Sequence, residues 1–196
     1  MRILHYTLGF PPYRSGGLTR YAIDLMAAQI ELGHNVSALY PGSISFFKKK
    51  CHIIQTKPKG KINIYEIKNP KPVPLLYGIK DVDDIINDEK LDITSLNKML
   101  DEIRPDIFHV HTFMGIPLKY LEIIHERGIK TVYTSHDYFG LCAKVNFIDA
   151  FGIACQEASA DRCATCNRNA KSTLFLRLRN AKCLIPIKHI AKRIKR

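Results

Sequence analysis

The amino-acid sequence lacks any long hydrophobic run. None of its 196 residues falls in a stretch of ~18 uninterrupted apolar side chains, the length that a membrane-spanning helix requires. The N-terminal segment Met1–Tyr6 holds too short an apolar run for a secretory signal peptide and is typical of a first strand. These two absences argue against a membrane-embedded or secreted protein, and we predict a cytoplasmic one.

Signs of disorder and of repetition are missing as well. The composition, 46% hydrophobic and 24% charged, is ordinary for a globular protein. No internal repeat or low-complexity segment interrupts the chain, and its length suffices for one sizeable core. We therefore expect one domain over residues 1–170 and a tail over residues 171–196.

Acidic side chains are absent after Asp161, and this sets the tail apart. Eleven of the 30 Lys and Arg residues lie in 162–196, so most of the net charge of +12 arises there. The tail is predicted to form a basic amphipathic helix, because apolar residues recur on one face: Leu174, Leu178, Ala181 and Ile185, then after Pro186 Ile187, Ile190, Ala191 and Ile194. Such a face packs on a protein domain or lies on an anionic bilayer. Both interpretations, the second giving a peripheral protein at the inner face of the membrane, stay open.

Apolar runs alternate with helical periods along the first 134 residues, which is typical of a parallel sheet covered by helices on both faces. The pattern predicts strands at 2–7, 35–40, 52–55, 62–67, 107–110 and 129–134, and helices at 18–32, 92–103 and 118–127. In the first helix the periodic apolar positions are Tyr21, Leu25, Ala28 and Leu32, and Gly33 ends it. The fold class is therefore α/β with a mostly parallel sheet.

A glycine-containing loop, Gly9–Gly17, joins the first strand to the first helix. The free N–H groups at a helix N-terminus and the helix dipole favour an anion such as a diphosphate. The spacing of these glycines is not the Gly-x-Gly-x-x-Gly pattern of dinucleotide sites, which disfavours a nicotinamide cofactor. A simple tight turn is the alternative.

Histidines cluster where two predicted strands end. His109 and His111 share one face of their strand, and His136-Asp137 follows the next strand along the chain. Ligands of open α/β sheets bind at the carboxyl ends of the strands. A histidine there can hydrogen-bond a sugar hydroxyl, and a neighbouring carboxylate can orient it. For His109, deeper in the sheet, a purely structural role is favoured.

Four motifs together resemble the N-terminal domains of family 4 glycosyltransferases over residues 1 to about 170. They are Pro11-Pro12-x-x-x-Gly16-Gly17, Leu32-Gly33-His34-Asn35-Val36, Pro105-Asp106-Ile107-x-His109-Val110-His111 and Thr134-x-His136-Asp137-Tyr138. None of the motifs is specific alone, but the occurrence of all four in this order is much stronger evidence for the resemblance. The resemblance implies a Rossmann-like three-layer αβα sandwich that forms one half of a GT-B fold.

The resemblance also implies roles for individual residues. His136 would contact the transferred sugar, with Asp137 beside it as the second catalytic candidate. Gly16 and Gly17 would lie near the diphosphate of a nucleotide-sugar donor, a UDP- or GDP-sugar. The reaction would retain the anomeric configuration and use no catalytic metal or cofactor.

The resemblance implies that this half of a GT-B enzyme binds the acceptor, with His111 lining its pocket, and we predict Arg14 and Tyr138 as further acceptor-binding residues. The carboxylates that hold the donor would come from a C-terminal domain that is missing here, because residues 162–196 contain none. We therefore expect the chain to be inactive alone and to face that second Rossmann-like domain.

Four cysteines follow in a predicted insert at about residues 140–168: Cys142, Cys155, Cys163 and Cys166. In a reducing compartment, such thiols with one Cys-x2-Cys pair can bind a structural zinc ion, since four thiolates leave no open position for catalysis. Unligated thiols or one disulfide pair are the alternatives.

The leading prediction is the N-terminal domain of a hexosyltransferase-type enzyme for cell-surface polysaccharide, acting on a saccharide or lipid-linked acceptor. A non-catalytic acceptor-binding subunit with a separate donor domain is one alternative. A zinc-bearing nucleic-acid-binding module is another, suggested by the cysteines and the basic tail. It leaves the α/β portion unexplained, and we expect no nucleic-acid partner.

Overall fold

The computed structural model describes residues 1–44 and 50–180, and within these ranges the chain forms one six-stranded sheet with helices. The strands are β1 Arg2–Tyr6, β2 Asn35–Pro41, β3 His52–Lys59, β4 Ile62–Lys68, β5 Ile107–Val110 and β6 Lys130–Tyr133. Their order across the sheet is β3-β4-β2-β1-β5-β6. All neighbouring pairs are parallel except β3 and β4, which are antiparallel.

Helices connect most of the strands. They are α1 Gly17–Glu31, α2 Asp83–Ile86, α3 Ile93–Ile103, α4 Leu118–Glu126, α5 Ala160–Asn167 and α6 Thr173–Asn180, with a 3-10 turn at Leu75–Tyr77. The predicted strands and the three predicted long helices of the first 134 residues are confirmed. The short helix α2 was not predicted.

The sheet separates two hydrophobic clusters, because successive side chains of a strand point to opposite faces. On one face, Leu4 of β1 and Phe108 of β5 pack with Leu96 of α3 and Tyr120 of α4. On the other face, Met26 of α1 packs against apolar residues of β2 and β4. The result is the predicted three-layer αβα sandwich with a mostly parallel sheet.

The rotation of α1 about its axis differs from the predicted one. Its buried residues are Thr19, Ala22 and Met26, whereas Tyr21 is 45% exposed. The apolar positions of this helix cover most of its circumference, so periodicity alone does not define the face that packs. The exposed Tyr21 is consequently free to face the carboxyl ends of the strands.

The start of α3 shows how local sequence fixes an element. Asp92 caps the helix, and its Oδ1 accepts a hydrogen bond of 3.2 Å from the backbone N–H of Ser95. Leu96, Met99 and Leu100 are buried, as their spacing predicts. The helix ends at Arg104 in the left-handed conformation, one residue before Pro105.

A buried carboxylate lies at the end of β4. Glu66 is 1% exposed and accepts hydrogen bonds from the N–H and the hydroxyl of Ser43, at 2.7 and 2.8 Å. The Lys68 ammonium is 3.0 Å from the same carboxylate. Gly42 passes so close that a Cβ there would overlap the Glu66 side chain. This contact fixes the loop after β2 to the end of β4.

Strand β6 is the outer strand on its side of the sheet, and all four of its residues are exposed. It pairs with β5, and in the part of the chain that the structure describes its other edge carries no strand.

Helix α6 begins the predicted tail and packs on the domain through Leu176, which is 3% exposed. The predicted face is different: Leu174 is 67% exposed and Leu178 39%. Arg179 lies over the ring of Tyr77, with 4.7 Å to the ring centroid. The tail from 181 onward, including the predicted bilayer-facing residues of 187–196, lies outside the described residues. Within the described ranges, no helix is long and apolar enough to cross a bilayer.

Candidate functional site

The glycine loop and the histidines converge at the carboxyl ends of β1, β5 and β6. In a sheet of this kind the loops that leave these ends form the ligand-binding edge. Residues 7–16 leave β1, residues 111–117 leave β5 and residues 134–159 leave β6. The predicted donor and acceptor residues belong to these loops, except Gly17, which is the first residue of α1.

Gly16 and Gly17 form the beginning of α1. Gly16 is the N-cap residue with φ 122°, a conformation that other residues rarely adopt, and Gly17 starts the helix. A Cβ on either glycine would meet no other atom within 4 Å, so open space lies beside both. The free N–H groups of a 15-residue helix therefore face an accessible region, as anion binding requires.

Strand register brings three histidines together under this edge. His5 of β1 is paired directly with His109 of β5, and His111 lies two residues further on the same face. The imidazole rings of His109 and His111 are stacked with centroids 4.4 Å apart. Helix α1 covers this face, and its Gln29 reaches the first of the three rings.

A chain of hydrogen bonds links the buried histidines to His136. His5 donates from Nε2 to the amide oxygen of Gln29 at 2.7 Å, which leaves its Nδ1 as an acceptor. His111 Nε2 lies 3.0 Å from that Nδ1, and His111 Nδ1 lies 3.4 Å from His136 Nε2. The positions of the protons follow from this network, starting at Gln29, whose oxygen only accepts.

Burial keeps these imidazoles neutral at pH 7. Desolvation lowers the pKa of His5 to about 4, and desolvation together with the neighbouring histidines lowers the pKa of His111 to about 3. Desolvation also lowers the pKa of His109 and that of His136, with nearby Asp137 opposing the shift for His136. A neutral His136 can donate one hydrogen bond and accept another.

Tyr21 completes the surroundings of His136. Its ring stands edge-on to the His136 imidazole with centroids 4.8 Å apart, and it reaches His111 at 5.9 Å. Tyr21 lies one helical turn after Gly17, so this contact connects the N-terminal turn of α1 to the loop after β6. The sequence predictions omitted Tyr21, Gln29 and His5 from the site.

Asp137, predicted beside His136, makes its hydrogen bonds within the loops. Its Oδ2 accepts from the Thr112 hydroxyl at 3.2 Å, and its Oδ1 accepts from the N–H of Phe139 at 2.9 Å. The bond from Thr112 ties the loop after β6 to the loop after β5, and the bond from Phe139 orders the loop after β6 itself. The carboxylate thereby holds the backbone that carries His136.

The predicted acceptor residues Arg14, His111 and Tyr138 lie in different surroundings. Arg14 folds against Gly9, and burial followed by the charge of Arg179 lowers its pKa. Tyr138 is half-exposed and makes an edge-to-face contact with the ring of Phe147, with centroids 4.7 Å apart. His111 is fully buried, so its contact with the cleft passes through His136.

A cavity of about 440 Å³ opens at the carboxyl ends of β2 and β4. Both signs of charge line it, including Asp84, Lys90 and Arg177. Lys71, also in its wall, is 3.0 Å from Asp88 in a largely buried ion pair. No motif in the sequence pointed to this cavity, because its walls come from separate parts of the chain: Gly42, Ile44 and Cys51, residues between 69 and 91, and Arg177 of α6.

The four predicted zinc ligands line one small cavity of about 30 Å³: Cys142, Cys155, Cys163 and Cys166. All four are free thiols. Cys155 Sγ donates to the carbonyl of Glu157 at 3.0 Å. In the described residues, the only three side chains whose metal-binding atoms lie mutually within 4.8 Å are His5, His109 and His111. The cysteine site remains a prediction.

Comparison with known proteins gives one family. The model of the family described as Glycosyltransferase Family 4 matches residues 15–179. No curated protein matches the chain. The matched range includes α1, the carboxyl ends of β5 and β6, the cysteine loop and most of α6.

Proposed function

Because the chain belongs to glycosyltransferase family 4, we propose that it is the acceptor-side half of a retaining glycosyltransferase. In this proposal the donor is a UDP- or GDP-sugar, and the acceptor is a saccharide or a lipid-linked saccharide. The carrying observation is the contact between Tyr21 and His136. This contact brings the N-terminus of α1, which can bind a diphosphate, next to the imidazole of His136, which can hydrogen-bond a sugar.

Donor binding is assigned to the first turn of α1. The open space beside Gly16 and Gly17 admits a diphosphate close to the backbone N–H groups. As the leaving diphosphate gains negative charge in the transition state, these N–H groups and the helix dipole stabilise it more strongly than they stabilise the intact donor.

His136 is assigned to the transferred sugar. It is partly exposed at the strand edge, whereas its Nε2 side is held by His111 and its ring by Tyr21. A neutral imidazole held in one orientation can hydrogen-bond a sugar hydroxyl and place the anomeric carbon for attack. Asp137 acts in this proposal by fixing the loop.

The acceptor is assigned to the region between Arg14 and the cavity lined by Lys71, Lys90 and Arg177. Clustered cations of this kind suit an acceptor that carries phosphate or carboxylate groups, and the acidic side chains beside them suit sugar hydroxyls. The proposal leaves the donor-binding carboxylates to a second domain, because residues 162–196 have no Asp or Glu. We further propose that the enzyme acts at the cytoplasmic face of a membrane.

The test uses the whole polypeptide that the gene encodes, incubated with common sugar nucleotides and a panel of acceptors. We expect release of nucleoside diphosphate and a product whose anomeric configuration, read by NMR, matches that of the donor. His136→Ala should lower kcat about 100-fold or more, the usual cost of removing one fixed hydrogen-bonding group. His125→Ala, at an exposed position of α4, is the matched control and should change nothing. No nucleoside diphosphate release with any donor would refute the proposal.

A further inference from the structure

Three histidines from two adjacent strands occupy one buried face of the sheet. The parallel pairing of β1 with β5 places His5 beside His109, and His111 follows on the same side of β5. All three are buried, with exposures of 0%, 8% and 0%. Three polar rings in contact inside a sheet are costly unless their nitrogens are satisfied.

The spacing of the rings is close to that of imidazoles around a single ion. One nitrogen of each histidine lies within 4.8 Å of the others. Two imidazoles bound to one tetrahedral zinc ion at ~2.0–2.1 Å have centroids about 5 Å apart. The centroids here are 5.1 Å apart for His5 and His109, 5.3 Å for His5 and His111, and 4.4 Å for His109 and His111.

Each histidine also has an outer partner on the nitrogen that points away from the centre. His5 Nε2 binds the Gln29 amide oxygen at 2.7 Å, and His109 Nε2 lies 2.8 Å from the Thr134 hydroxyl. His111 Nδ1 faces His136. Metal-binding histidines are usually held by such a second partner, which fixes the tautomer and orients the ring.

We propose that His5, His109 and His111 bind one zinc ion beneath the site edge. His5 binds through Nδ1 and His111 through Nε2, two atoms that lie 3.0 Å apart and need to separate by a few tenths of an ångström to share a tetrahedral ion. His109 binds through Nδ1, since its Nε2 is engaged. The fourth position is left to water or another small ligand.

Binding of the ion would reverse the hydrogen bond between His111 and His136. With Nε2 on the metal, the proton of His111 sits on Nδ1 and is donated to His136 Nε2. His136 would then present its own N–H, on Nδ1, away from His111. In the metal-free network the His136 proton points towards His111 instead. This site stands independently of the proposed glycosyl transfer, because its ligands and its test involve no substrate.

The experiment measures metal binding by the full chain in a background that removes the competing cysteine site, with Cys142, Cys155, Cys163 and Cys166 all replaced by Ser. We expect this background to retain about one equivalent of zinc. Cobalt should replace it and give visible ligand-field bands without the near-ultraviolet charge-transfer absorption of a cobalt thiolate. His34→Gln, at a partly exposed histidine outside the cluster, is the control and should bind cobalt as the background does.

Two variants in the same background decide the assignment. His109→Ala removes a ligand and should abolish the cobalt bands. Gln29→Leu leaves all three ligands and removes one outer partner, so affinity should fall about 10- to 100-fold. Gln29→Leu remains informative if His109→Ala does not fold. The zinc site is refuted if the folded background holds less than about a tenth of an equivalent of metal, or if both variants bind metal as tightly as the background does. The three histidines would then be clustered only because they form a chain of hydrogen bonds.

Discussion

Tyr21 stands edge-on to His136, with ring centroids 4.8 Å apart and planes inclined by 63°. One residue belongs to the first turns of α1 and the other to the loop after β6, so the two halves of the candidate site touch through this pair. An aromatic edge-to-face contact of this type contributes about 0.5–1.5 kcal/mol.

Replacing Tyr21 should therefore impair the site more than the fold. Tyr21→Ala removes the ring that holds His136, and we expect kcat of the full enzyme to fall about tenfold, in line with the value of such a contact. Because Tyr21 is 45% exposed, the melting temperature should change little. Tyr21→Phe keeps the ring and is the matched control. Equal kcat in the Ala and Phe variants would contradict the positioning role.

Gly17 should tolerate alanine structurally but not functionally. A Cβ at Gly17 meets nothing within 4 Å, and alanine is favoured over glycine in a helix by about 0.5–1 kcal/mol. We expect an unchanged or higher melting temperature with weaker binding of the nucleotide sugar, since the methyl group enters the space assigned to the diphosphate. Gly16→Ala should weaken donor binding and also lower the melting temperature, because φ is 122° at this position. Calorimetry and donor titration measure the two effects, and unaltered donor affinity in Gly17→Ala would exclude the diphosphate assignment.

Gly42→Ala should destabilise the domain. The added Cβ would overlap Glu66, which cannot move away because Ser43 and Lys68 hold its buried carboxylate. Overpacking of this kind costs about 1–3 kcal/mol, measurable by urea unfolding. In a double-mutant cycle with Glu66→Ala the two losses should be less than additive. Strict additivity would show that the glycine is not required by this carboxylate.

The ion pair between Arg2 and Asp106 should make stability fall in acid. The Arg2 side chain and the Arg2 backbone N–H both donate to Asp106, which lowers the pKa of Asp106 to about 2 from 3.8. A carboxyl group with a lowered pKa stabilises the folded state above the pKa of the unfolded chain, and this contribution disappears as the pH falls towards 2. The melting temperature of Asp106→Asn should lie below that of the unmodified protein at pH 5, and the two should converge near pH 2. A constant difference would contradict the assignment.

We predict that the cysteine loop binds a second zinc ion through Cys142, Cys155, Cys163 and Cys166. Cobalt added to the unmodified chain should produce thiolate charge-transfer absorption, and Cys163→Ser should remove it. Cys51 is buried beside Tyr120, so Cys51→Ala is the control and should retain the absorption. Full reactivity of all four loop thiols with a thiol reagent in the presence of zinc would exclude this site.

The layers of the fold could be predicted from the sequence because strands and helices differ in period and are separated by strong signals. In the structure Asp92 caps the start of α3, Pro105 follows its end, and Gly33 follows the end of α1. The orientation of α1 could not be predicted in this way. Apolar residues occur on most sides of that helix, and only contact with β2 and β4 selects Ala22 and Met26.

Only part of the candidate site could be predicted, because contacts between distant segments cannot be read from local sequence patterns. His111 and His136 could be named because each follows a strand within its own segment. His5 and Gln29 could not, since their roles depend on which strands are neighbours and on the register between them. The pairing of His5 with His109 joins residues that are 104 positions apart in the chain. In α6, likewise, Leu176 packs in place of the predicted Leu174.

The exposed outer strand β6 has a practical consequence for handling this polypeptide. Backbone groups along an unpaired edge offer a template to any other extended segment, including the same strand of a second molecule. Val132, 44% exposed, adds apolar surface there, and Lys130 supplies the one charged side chain of the strand. Self-assembly through this edge should therefore grow with concentration, and a second lysine in place of Val132 is the simplest way to keep preparations monodisperse.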